Sequence, residues 1–367
     1  LRREVMGTEP RDATPEELEK MKELLRQAME EGAWGLSAGL EYIPGRYGST
    51  EEVIALVKVV GEFGGIYNSH QRDEDDRVPW ATEETVRIAE ETGVHTEVAH
   101  FKYPGKSSWG KIKEATKVIE DARARGVSIT ADMYAYNKSG TSSFIRIFRS
   151  PDDMEPLAGL EKKMSDRSLP GPERAKFREQ YAEELAKALS DKPKREKIRE
   201  LTLTGTPHDP SNIALWGWDS HTIMAAKKNS HLVGKIISDI AEEQNKDPFD
   251  VAADLIIDEP DVSSSDQAML EEDVKYLMKK DWVMISSDGS ARSIIKEGDQ
   301  PQYGHPRIYG NFPRIFRKYV REDKVLSLEN AIRKITSLPA SSLQLKKRGL
   351  LIRGHKADIT IFNPETI

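Results

Sequence analysis

The 367-residue chain contains no cysteine. That excludes a disulfide scaffold, a Cys-ligated zinc or iron–sulfur site and a thiol nucleophile. It leaves the compartment open, since reducing and oxidising spaces both tolerate a cysteine-free chain. An excess of positive charge is also lacking: 55 Lys and Arg against 62 Asp and Glu give a net charge of −7. No electrostatic case for a nucleic-acid partner follows from that balance. No apolar run approaches the ~20 residues of a membrane span, so no membrane partner is expected. The chain opens on Leu1 with no signal peptide ahead of it, and reads as a processed product or a fragment; the cytoplasm is the default location. Internal repeats and low-complexity tracts are missing as well. What remains is 32% charged residues and a negative mean hydropathy. Those features suit a soluble protein, long enough for one large core or two modest ones.

The first half alternates strand-like and helix-like segments. "TPEELEKMKELLRQAMEEGA" is a helix with Thr14 as N-cap and Glu17 closing a capping box. A short strand "WGLSAGLEY" follows, then a helix from Ser49 to a Gly-Gly stop. After these come strand "IYNSH", helix "TEETVRIAEETG", strand "HTEVAHFK", helix "GKIKEATKVIEDARARG" and strand "VSITADMYAY". Such alternation predicts parallel strands with crossover helices. Residues 151–210 break the rhythm as a charged helical insertion. Strand–helix order resumes with "NIALWGW" as a strand, two helices between His231 and Asp258, and "WVMISSDG" as a strand. The final residues, 346–367, hold two β-like runs around a Gly turn, expected as strands of a small separate sheet. About six strand–helix units are countable. A closed (β/α) barrel needs eight, so either the sheet is open or two units lie upstream of Leu1.

His70 and His100 each end a predicted parallel strand. In a barrel such ends face one mouth, and imidazole is a good zinc ligand. Asp288 ends "WVMISSDG", placed to bind a metal or to take a proton from metal-bound water. The bland alternatives are a satisfied polar histidine and a simple Asp-Gly turn; two histidines in matched contexts weigh against the first. Lys102 shares a face with His100 if the strand continues, and its charge suits a carboxylate. Tyr42, Tyr134 and Arg307 also fall at strand ends or in nearby loops. The block "RDEDDR" after His70 reads as a salt-bridged loop. His95, at the near end of its strand, reads as structural. His208, His221, His231 and His355 read as structural or surface residues without a partner.

"GLSAGLEYIPGRYGSTEEVIALVKVVGEFGGIYNSHQRDEDDR", "VAHFKYPGKSSWGK", "MISSDGS", "GHPRIYGNFPRI" and "RGLLIRGHKADITIFNPETI" together resemble the N-acyl-D-amino-acid deacylases (D-aminoacylases) of the amidohydrolase superfamily. The similarity runs over most of the chain and is weakest across 151–210. It implies an α/β fold: a metal-bearing (β/α)8 TIM-type barrel over residues 1–345 that lacks its first units, with residues 346–367 as the remaining strands of a small β-sandwich. It implies zinc-dependent hydrolysis of N-acyl-D-amino acids, with that small molecule as substrate and the oligomeric state left open. His70 and His100 resemble the zinc-binding histidines and Asp288 the catalytic aspartate. Lys102, Tyr134 and Arg307 resemble groups holding the substrate carboxylate, and Tyr42 a residue lining the pocket. The family's His-x-His pair and its metal-ligating cysteine have no counterpart here, and the resemblance puts them upstream of Leu1. "Tyr134-Ala135-Tyr136" and "Ser139-Gly140-Thr141" stand where the family has Tyr-Pro-Tyr and Gly-Ser-Thr. Two alternatives stay open: a truncated or degenerate relative without catalysis, and a dipeptidase or cyclic-amide hydrolase on the same scaffold.

Overall fold

The first long helix shows how local chemistry sets the frame. In this computed structural model, Thr14 Oγ1 accepts from the Glu17 N–H at 3.2 Å, and Glu17 Oε2 accepts from the Thr14 N–H at 2.8 Å. This capping box starts the helix Pro15–Glu30, which buries Met21, Leu25 and Met29 at a four-residue spacing. The structure describes all residues except 75–76, 106–107, 167–168, 206–210, 268 and 292–304. His208 and the last two acids of "RDEDDR" therefore lie outside the described residues.

Strand β1 (Gly35–Gly39) follows, then helix Thr50–Glu62 behind its Ser49 cap, β2 (Ile66–His70), helix Val78–Thr92, β3 (Thr96–Val98), helix Ile112–Ala124 and β4 (Ile129–Met133). Further along come β5 (Lys138–Ser143), β6 (His221–Ala225), β7 (Ser263–Gln267) and β8 (Val283–Ile285). β1, β2, β3, β4 and β8 form one parallel sheet in that order. Its register sets Gly39 beside His70. The crossover helices bury Val57, Val60, Ile88, Ile112 and Ile119.

β5, β7 and β6 make a second sheet, antiparallel and three-stranded. Helices Leu157–Ser165, Gly171–Ser190, Lys192–Thr204 and Pro248–Asp258 share a core with it, built on Phe144, Phe148, Tyr181, Leu185, Ile198 and Phe249. The helical excursion thus belongs to a larger body that begins at β5 and returns at β7.

Two expectations are corrected and a third is narrowed. "NIALWGW" is not a strand: Ser211 accepts from the Ala214 N–H at 3.0 Å and starts the helix Asn212–Trp216. Among the described residues the parallel sheet has five strands, against the six or so strand–helix units countable in the sequence, and it is open, as one of the two arrangements left by that count. Residues 346–367 form no strand. Their alternating Leu351, Ile359 and Ile361 are 76%, 62% and 93% exposed. A strand needs a neighbour for its backbone donors and acceptors, and the described residues supply none. This segment is fastened instead by Phe362 stacked on Phe316 at 4.9 Å and by Arg321 donating to the carbonyls of Pro364 and Ile367. Among the described residues no helix is long and apolar enough to cross a membrane.

Candidate active site

The carboxyl ends of the parallel strands open on a cavity of about 530 Å³. His70 is the last residue of β2. His100 lies two residues beyond β3, which stops at Val98; Lys102 therefore follows a turn and not a continuing strand. His100 has φ +35°, and Asp288, three residues past β8, has φ +44°. Both occupy the left-handed region, which non-glycine residues enter at a cost of order 1–3 kcal/mol when surrounding contacts over-determine them. For His100 one such contact is its own N–H, donated to Asp132 Oδ1 at 3.0 Å. Asp132 is buried on β4 and also accepts from Ser286 Oγ. Burial and the adjacent Asp132 carboxylate push Glu97 well above the usual carboxyl range. Glu97 thus stays neutral near pH 7.

The two imidazoles are joined, with His70 Nδ1 2.8 Å from His100 Nε2. On the other side His70 Nε2 lies 2.6 Å from Glu41 Oε2. The Tyr42 ring covers His70 at 4.5 Å from the rim. Glu74 Oε1 comes to 3.0 Å from His100 Nδ1, and Glu74 Oε2 to 2.5 Å from Lys102 Nζ. Burial alone would push the Glu74 carboxyl up; Lys102, His100 and His70 outweigh it and hold it down at about 2. Burial would likewise lower Lys102, yet Glu74 and its neighbours leave it raised. His70, Glu74 and His100 offer ligand atoms within 4.8 Å of one another and form a group able to hold a metal ion. Two neutral imidazoles and a carboxylate suit a zinc-type ion.

Arg307 forms the opposite wall. Its Nη2 lies 2.9 Å from Asp288 Oδ2, its Nε donates to the Asp288 carbonyl at 2.9 Å, and its Nη1 donates to the Ser139 carbonyl. The guanidinium sits over the Tyr134 ring at 4.4 Å. The Tyr134 hydroxyl and Trp216 Nε1 are buried without a hydrogen-bond partner among the described residues, and both residues line the cavity.

All the sequence-predicted residues, His70, His100, Asp288, Lys102, Tyr42, Tyr134 and Arg307, thus line one cavity. Sequence reasoning missed Glu41, Glu74, Asp132, His305 and Trp216. The signal for Glu74 was its place four residues after a strand-ending histidine, hidden by the surrounding charges. Its neighbours do form the expected ion pairs, Arg72 with Glu84 and Arg77 with Asp73. His305 hides in a loop but is buried, donating Nε2–H to the Lys138 carbonyl at 3.0 Å and accepting the Arg307 N–H on Nδ1 at 3.1 Å. His95 bonds Ser128 and Ser342 on the near side of the sheet. His221 opens β6, fully buried, with Nδ1 2.9 Å from Asp266 Oδ1 but without a hydrogen-bond partner for either ring nitrogen among the described residues.

Residues 252–367 match the amidohydrolase family. The D-aminoacylase of Alcaligenes xylosoxydans xylosoxydans is 29% identical over 368 residues, which take in 100% of this chain and 59% of that protein. A crystal structure of D-aminoacylase superposes with a TM-score of 0.63 at 27% identity, covering 98% of this chain and 59% of the other. The N-acyl-D-glutamate deacylase of Bordetella bronchiseptica, complexed with zinc and a phosphonate mimic of the reaction's tetrahedral intermediate, gives a TM-score of 0.62 at 26% identity. It matches over 97% of this chain and 59% of its own. The chain therefore spans less than two thirds of the length of these relatives. It is a relative of the N-acyl-D-amino-acid deacylases and carries amidohydrolase-family sequence over its last third.

Proposed function

We propose that this cavity hydrolyses the amide bond of N-acyl-D-amino acids, releasing a D-amino acid and a carboxylate, with a zinc ion held by His70 and His100. The observation that carries this reading is the meeting of two histidines, an aspartate and two cations at the carboxyl ends of parallel strands, around one cavity. The five-stranded parallel sheet is read as an arc of a (β/α) barrel, whose active sites form at that face.

Zinc, when bound, supplies polarisation of the scissile carbonyl and a more acidic water. The chain's own groups do the rest. Asp288 takes the proton from the attacking water and passes it to the leaving nitrogen. Its left-handed backbone and its pairing with Arg307 fix where that carboxylate points. The Tyr134 hydroxyl has a hydrogen to donate and no acceptor among the described residues, so it takes a substrate oxygen. Arg307 above that ring and Lys102 across the cavity provide the charge that holds the α-carboxylate. Once the carbonyl and the carboxylate are both fixed, the two hands of the α-carbon send their side chains to different walls of the cavity, which Tyr42 and Trp216 help to line.

The test uses the natural protein in zinc buffer with N-acetyl-D-amino acids. His70→Ala and Asp288→Ala are each expected to lose turnover by 10²-fold or more, roughly the share of one catalytic group. Full activity in either variant would remove its residue from the mechanism. Turnover of a dihydropyrimidine with none of any N-acyl-D-amino acid would overturn the proposal.

A further inference from the structure

The helix Arg307–Arg314 touches both loops that carry the reacting groups. Its first residue is Arg307. One turn on, Asn311 is 1% exposed and makes two hydrogen bonds of opposite sense. Its Oδ1 accepts the Ala135 N–H at 2.8 Å, and its Nδ2 donates to the Ser286 carbonyl at 2.7 Å. Ala135 directly follows Tyr134, and Ser286 lies two residues before Asp288. A backbone N–H only donates and a carbonyl only accepts, so one orientation of the amide meets both. Arg314, on the next turn, donates Nε–H to the Ala135 carbonyl at 2.6 Å and lies over the Tyr136 ring at 4.6 Å. Both polar backbone groups of Ala135 are thus held from this helix. The sheet reaches no further on these strands. β4 ends at Met133 and β8 at Ile285, with the Ser286 N–H donating to the Met133 carbonyl at 2.9 Å. Past that point Asn311 takes up both chains.

We propose that Asn311 is a positioning residue, whose amide keys the Tyr134 hydroxyl and the Asp288 carboxylate to the helix that carries Arg307. This deepens the reading above and rests on it for the roles of those three groups. The two bonds have separate consequences. The Ala135 bond sets where the Tyr134 side chain meets substrate, and so acts on binding. The Ser286 bond sets where Asp288 meets the attacking water, and so acts on the chemical step. A misplacement of ~1 Å at such a group costs about 10²-fold in rate. Loss of the amide also leaves a buried N–H and a buried carbonyl unpaired, which costs stability. A role in folding alone predicts that cost without any split between kcat and KM.

The test is steady-state hydrolysis of an N-acetyl-D-amino acid by the natural protein in zinc buffer at pH 8.5, well above the ordinary carboxyl range, with denaturant midpoints taken alongside. Asn311→Leu, of similar size and without either bond, is expected to lower kcat by about 10²-fold and to raise KM by about 10-fold, the worth of about one hydrogen bond. Asn311→Asp keeps the acceptor for Ala135 and turns a carboxylate oxygen on the Ser286 carbonyl. It is expected to lower kcat by about 10-fold or more, with KM within about 2-fold of wild type. Unchanged kcat in both variants, or kcat and KM altered together to the same degree in both, overturns the positioning. Where Asn311→Leu fails to fold, Asn311→Asp decides by the same split. A wild-type protein that hydrolyses no N-acetyl-D-amino acid removes the proposed function, and crystal structures of wild type and Asn311→Asp then judge the positioning alone. Asp288 displaced relative to Arg307 supports it, and Asp288 left in place overturns it.

Discussion

Asp288 and His100 carry the chemistry proposed here on backbones that most residues avoid, at φ +44° and +35°. Asp and Asn enter that region more readily than other side chains, because their short polar groups bond locally. Asp288→Asn should therefore separate function from folding. Turnover is expected to fall by roughly 10²–10⁴-fold, with the denaturant midpoint unchanged; an equal loss of stability would mean that the charge serves folding. His305 offers a pH test at the same scale. Burial, then the Arg307 charge, pushes it down to about 3. Between its unfolded value near 6.5 and about 3, the unfolded chain binds a proton that the folded chain refuses. The stability tied to a neutral His305 is thus complete above 6.5 and is lost as pH falls through that window. Urea unfolding at pH 7.5 and pH 5 should show wild type losing about 2 kcal/mol more than His305→Gln. Equal losses would mean that His305 does not stay neutral on folding. At this scale the sequence revealed strand-ending histidines and an aspartate before glycine. It concealed Glu74 in a run of like residues, and His305 in a loop whose burial depends on packing by Tyr134 and Tyr136.

The elements that were legible are those whose signals are local. Caps at Thr14 and Ser49, the left-handed Gly93 ending helix Val78–Thr92, and four-residue apolar spacing mark helices without reference to anything distant. β5 and β7 were not legible. "KSGTSS" and "SSSDQ" offer no apolar alternation, and they are strands because each supplies the other's backbone partners. The closing run fails in the opposite sense: its alternation is strand-like, but no described neighbour pairs with it. Two substitutions test elements directly. Thr14→Ala should cost about 1 kcal/mol by removing the capping box. Gly35→Ala should cost more, about 1–3 kcal/mol, because a Cβ there would meet the carbonyl oxygen of Ile66 on the neighbouring strand. A denaturant midpoint for Gly35→Ala equal to wild type would mean that β1 and β2 are less tightly opposed.

Over the whole molecule, the cavity lies where two bodies meet. The parallel sheet contributes His70, His100, Lys102 and Asp288; the body around the antiparallel sheet contributes Arg149, Asn212 and Trp216. The first body is written in strand–helix repeats and was readable. The second is a long excursion of the chain, and its approach to the site depends on packing that no single segment encodes. If it walls the substrate side only, Trp216→Ala should weaken substrate binding by about 10-fold, near 1.4 kcal/mol, and leave metal affinity as it is. A changed metal affinity would place Trp216 nearer the ligands. The most direct measurement of all is amino-acid release from paired N-acetyl-D- and N-acetyl-L-amino acids by the natural protein, before chelation, after it, and after zinc is returned. The expected result is release from the D form alone, abolished by the chelator and restored by zinc. Equal release from both hands, or release that survives metal removal, would contradict a zinc-dependent, D-selective deacylase at this cavity.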